Sequence, residues 1–158
     1  MINFKLEKIH PYRKEGRNIE KIFILTEIFE VILYLKSDIN KIKSSISITA
    51  KKKRLMYLEI VEKNFVEIIK KYNELCVEKD KYELYEEDSE VFSLNTRLSR
   101  AISFFHRLST GKPMSINTLI RTTKANLDTP FDYAKSMVKY LEVMVNTIST
   151  IPENHFKS

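Results

Sequence analysis

The stretch from Ile19 to Lys43 constrains this chain more than any other. Read as a heptad, it sets Leu25, Ile28, Ile32, Leu35, Ile39 and Ile42 at successive a and d positions, and Ile22, Phe29 and Val31 widen that seam. A face this wide predicts a buried helix with more than one partner. A second seam follows from about Thr49 to Lys79, with Leu58, Val61, Phe65, Ile68, Tyr72 and Leu75 at three- and four-residue spacing. Two such seams joined by the short polar turn Ser44 to Thr49 imply an antiparallel helical hairpin.

Further helices follow the hairpin. Leu94, Leu98, Ala101, Ile102, Phe105 and Leu108 define a helix from near Ser89 that ends before Gly111, with Lys112 and Pro113 opposing its continuation. A short helix is expected from Ser115, carrying Ile116, Leu119 and Ile120. The next start is the clearest: Thr129 suits the N-cap, Pro130 the first helical position, and Asp132 the electropositive first turn. Its inward face is Phe131, Ala134, Val138, Leu141, Val145 and Ile148, and it ends near Thr150 before Pro152. Ahead of the hairpin, Met1 to Arg17 reads as a short edge strand or extended arm, and Asn18 as a helix cap. The expectation is an all-α single domain over 1–158: an arm (1–17), the hairpin (18–80) and C-terminal helices (89–150), about five helices in one bundle.

Composition supports this and removes several functions. With 43% hydrophobic and 30% charged residues, two Gly and four Pro, the 158-residue chain suits long helices and a real core. Its one cysteine, Cys76, excludes an intrachain disulfide and multi-cysteine metal sites, which points to a reducing compartment such as the cytoplasm. The most apolar run, Ile22 to Leu35, contains Thr26, Glu27 and Glu30 and falls short of the ~20 apolar residues a bilayer requires. No membrane role is expected. There is no glycine-rich phosphate loop, no Glu-x-x-His pair and no zinc spacing, and the three histidines are isolated in sequence; no cofactor or metal is implied.

The net charge of +6 is uneven, because Glu78 to Glu90 is acid-rich between basic segments. Lys41, Lys43, Lys51, Lys52, Lys53 and Arg54 converge on the hairpin turn with no acid between Asp38 and Glu59. Lysines at a helix start oppose its dipole, so local stability does not account for them, whereas phosphate contact or a lysine-rich composition does. Arg97, Arg100 and Arg107 share a helix flank with Phe104, and their planar forks suit phosphate or carboxylate. They serve a partner, or they bridge to Glu27, Glu30 or the acidic strip within the fold. Ser115–Lys124 and Thr129–Glu142 outline a helix-turn-helix, with Arg121, Lys124, Lys135 and Lys139 for phosphate and Asn117 or Asn126 near bases, although the turn lacks the usual glycine.

The run Arg100-Ala-Ile-Ser-Phe-Phe-His106 resembles the Arg and His spacing of HEPN-domain ribonucleases, which are small helical bundles. The resemblance covers seven residues. It implies metal-independent RNA cleavage by Arg100 and His106, usually across a dimer interface, but Ala101 stands where many members are polar, and one continuous helix points the two residues in different directions. The main expectation is a non-enzymatic basic helical protein that binds nucleic acid or an acidic partner protein. The alternatives are that ribonuclease, or an inhibitor, immunity or assembly protein acting only through protein contacts. A homodimer, with the apolar seam completed by a second copy, is compatible with each.

Overall fold

In the computed structural model the described residues are 19–84, 94–115, 117–118 and 129–157. They form α1 (Ile19–Ser44), α2 (Ala50–Leu75), α3 (Leu94–Thr110) and α4 (Pro130–Ser149), with single 3-10 turns at Glu78–Asp80 and Glu153–His155. Among the described residues the bundle is all-α, with four helices where about five were expected. Of the short helix expected from Ser115, only a helical step at Asn117–Thr118 lies within the described residues. The expected arm over 1–17, the Asn18 cap and the acidic strip beyond Leu84 lie outside them.

Helix ends follow local chemistry. Thr49 is extended, and its hydroxyl accepts from the Lys52 N–H at 3.2 Å. Thr129 accepts from the Asp132 N–H at 3.1 Å and donates to that carboxylate at 2.8 Å, and Pro130 stands at the first turn. Gly111 takes φ 79°, where a side chain would be strained, and its N–H closes α3 onto the Arg107 carbonyl at 2.8 Å. α2 stops at Leu75, short of the expected Lys79. The C-terminal segment takes over its last groups: Lys157 N–H donates to the Leu75 carbonyl at 2.8 Å, and Val77 N–H to that of His155 at 2.9 Å.

All six a and d residues of α1 are buried, and α1 packs on both α2 and α4, as a wide face requires. The axis of the bundle is nevertheless α4, which packs against all three other helices. Met137, Tyr140 and Met144 are buried beside its expected face, along with Ser136, so α4 is covered on several sides.

Side-chain pairs fix the directions. Lys36 meets Glu142 and Lys43 meets Phe131, so α1 runs antiparallel to α4. Tyr57 lies by Phe131 and Tyr72 by Phe156, so α2 runs parallel to α4. Arg97 lies by Glu62, Phe105 by Tyr72 and Ser109 by Thr150, so α3 runs the same way. Three helices therefore start at the end where the α1–α2 hairpin turns. α3 and α4 each begin at the opposite end from where the helix before them stops.

Candidate nucleic-acid interface

The hairpin turn brings α1's basic last turn, with Lys41 and Lys43, against the first turn of α2, which holds Lys51, Lys52, Lys53 and Arg54 and no acid. Lys41, Lys43, Lys51, Lys52 and Arg54 are exposed. Lys53 is different: it is half-buried and donates to the Lys43 carbonyl at 2.8 Å, clasping the two helices together. The N-terminus of α2 lies at this turn and that of α4 beside Lys43, so their dipoles add positive potential to that of the side chains. Arg54 also stands near the phenol of Tyr133 on α4; burial raises that phenol's pKa above its usual value and Arg54 partly offsets the rise.

The fold extends this surface along one side. Lys36, Asn40 and Lys43 lie on successive turns of α1 and face Phe131, Lys135 and Lys139 of α4 across a groove of about 460 Å³. The Lys43 ammonium is 4.0 Å from the Phe131 ring centre and that of Lys135 is 5.4 Å away, two cations held by one ring. The one acid lining the groove, Glu142, is bound by Lys36 at 3.2 Å. Lys43 belongs to both the groove and the turn, so the two form one basic surface.

The arginine stripe divides. Arg97 is largely buried, with 12% of its side chain exposed; it meets Glu62 at 3.4 Å and lies over the Phe65 ring at 5.7 Å. It is scaffold, although its partner is on α2 and not Glu27 or Glu30. Glu27 instead pairs with Lys71 at 3.2 Å, and Glu30 accepts from Tyr34 at 3.3 Å. Arg100 and Arg107 are exposed and line a second groove with Lys81, Tyr82, Glu83, Ser103 and Phe104. His106 is not part of that groove, as the angular separation along a continuous helix requires. Lys135 and Lys139 lie on α4's exposed side within the first groove; Arg121, Lys124 and Asn126 lie outside the described residues, and Asn117 is exposed.

No family model matches this chain, and no curated protein or solved structure does either. The site therefore rests on its geometry. Among the described residues no group of three or more His, Cys, Asp or Glu is placed to hold a metal ion, and no helix is long and apolar enough to cross a membrane.

The far end of the bundle held what the sequence reading missed. Lys21, only 6% exposed, donates to the Ile151 carbonyl, meets Glu153 at 3.5 Å and lies over the Phe156 ring at 5.4 Å. Asp80 is buried and joined to His155 at 2.7 Å, and its carbonyl accepts from Tyr72 at 2.7 Å. Asn73 pairs with both backbone groups of Tyr82, at 2.9 and 2.8 Å. Burial pushes the Tyr72 phenol and the Cys76 thiol up, so both stay protonated at neutral pH. Asp80 and His155 are distant in sequence, and no local pattern joins them.

Proposed function

We propose that this protein is a non-enzymatic nucleic-acid-binding module whose contact surface is the hairpin turn together with the α1–α4 groove. The observation that carries this reading is the meeting of Lys43, from the basic last turn of α1, with Lys135 and Lys139, cations far apart in sequence, while Lys51, Lys52 and Arg54 are exposed at the adjoining start of α2. None of these six is in a salt bridge with an acid among the described residues. Uncompensated ammonium groups gathered on one surface repel each other, and a polyphosphate relieves that repulsion while releasing its counterions. The test is charge reversal at Lys51, Lys52 and Arg54, read as binding to random-sequence nucleic acid across a salt series. The variant should bind more weakly with a shallower salt slope, and a parent protein that binds nothing at low salt removes the reading.

A second reading has an observation of its own. Ile46 is fully exposed at the hairpin apex and Leu55 is largely exposed on α2, both among the cations. Apolar side chains within a basic surface suit an acidic partner protein, as in inhibition, immunity or assembly. Capture from native lysate separates the readings, because a stoichiometric protein partner survives nuclease treatment and a nucleic acid does not.

A further inference from the structure

The groove has a shape that the hairpin turn lacks. Its walls are the Lys36, Asn40 and Lys43 row of α1 and the Phe131, Lys135 and Lys139 row of α4, and its floor is formed by Ile39 and Val138, both buried. Lysines four residues apart on a helix stand about 6 Å apart along its axis. That is the order of one nucleotide step in an extended strand.

Width separates the possible ligands. Packed neighbouring helices have axes roughly 8–10 Å apart, so the crease between two of them is narrower than a duplex and suits a single strand lying along it. Helices that read duplexes do so the other way round, as convex rods entering a major groove about 12 Å wide. Here the cations line a concavity. Phe131 adds a second feature, because a ring face that attracts ammonium groups also accepts a stacked base. With Lys36 engaged by Glu142 at one end, the uncompensated charge gathers around Phe131 at the other.

We infer that the α1–α4 groove is a single-strand site, with Lys43, Lys135 and Lys139 against successive phosphates and a base on Phe131. Stacking moves the Lys43 and Lys135 ammonium groups off the ring and onto the flanking phosphates. This inference rests on the nucleic-acid reading above and narrows it to single strands.

The experiment titrates a short labelled single strand, and the duplex of the same sequence, with the full chain across a range of salt. The single strand should bind about ten-fold or more tightly than the duplex. Combined Lys135→Glu and Lys139→Glu should abolish that preference and lower the single-strand salt slope by about 1.4, two phosphates' worth. Phe131→Leu should weaken single-strand binding about five-fold or more with the slope unchanged, which separates ring from charge. Lys51→Glu with Lys52→Glu should weaken strand and duplex alike. Circular dichroism confirms that each variant is folded, and the exposed lysine pair serves if Phe131→Leu is not. Equal affinity for the two forms, or indifference to the Lys135 and Lys139 change while the Lys51 and Lys52 change still weakens binding, overturns the groove and leaves the nucleic-acid reading standing. Binding of neither form at low salt removes both.

Discussion

The two ends of this bundle use the same kind of residue in opposite ways. At the far end Lys21 is buried and answered three times, by a carbonyl, a carboxylate and a ring, and Asp80 is answered by His155. At the hairpin end Lys41, Lys51 and Lys52 are exposed, and the first turn of α2 holds no acid. A cation whose surroundings are complete within the chain is scaffold. One left uncompensated beside like charges is available to a partner, and that distinction, more than net charge, marks the candidate site.

The contrast breaks most visibly in the far end's core. Phe105 is fully buried, edge-on to Tyr72 at 4.7 Å, so Phe105→Ala should cost about 3–5 kcal/mol in chemical denaturation. Nucleic-acid affinity per folded molecule should not change; a loss of affinity without a loss of stability would show that the two ends are not separate in role. Next in size is Lys21→Met, which leaves the Ile151 carbonyl without its buried donor and should cost about 1–3 kcal/mol. Lys52→Met should cost almost nothing, and equal denaturation midpoints for the two variants would erase the distinction drawn above.

Alkaline pH sharpens the comparison further. The unfolded chain ionises Cys76 near 9.0 and Tyr72 near 10.0, whereas the fold keeps both protonated to higher pH. Protons are therefore lost first by the unfolded state. The stabilisation is complete below about pH 9 and drains away as pH rises beyond it, so urea midpoints should fall above that point. Tyr72→Phe should flatten the fall while lowering stability by about 1 kcal/mol at neutral pH, because the Asp80 carbonyl loses its donor. A smaller effect has the opposite sign. Lys51→Glu and Lys52→Glu place favourable charge at the start of α2 and should each stabilise by roughly a few tenths of a kcal/mol, seen as a higher melting temperature, while nucleic-acid binding weakens.

What was legible in the sequence was local. The α1 seam, the Thr129 cap and the Gly111 stop each depend on residues within a few positions of one another, and all three are present in the fold. The central place of α4 was partly written too: between Asp132 and Ser149 only Lys135, Lys139 and Glu142 carry charge, so few sides of that helix suit water. The groove was not legible, because Lys43 meets Lys135 only once α1 and α4 dock antiparallel, and no local pattern joins two helices so far apart in sequence. Nor was the fate of any single lysine. Lys21 and Lys51 look alike in sequence, and Arg97 looks like Arg100, until burial separates them.

The position of α4 in the chain has a consequence for how the molecule is made. The helix that touches all the others is the last of the four to be synthesised. At roughly 5–20 residues per second, several seconds separate completion of the α1–α2 hairpin from completion of α4. Throughout that interval Ile28, Ile32 and Ile69, all buried in the finished core, lack the helix that packs on both α1 and α2. Core formation is thus tied to the arrival of one late segment, and a chain stopped short of it lacks both the axis of its core and the far wall of its groove.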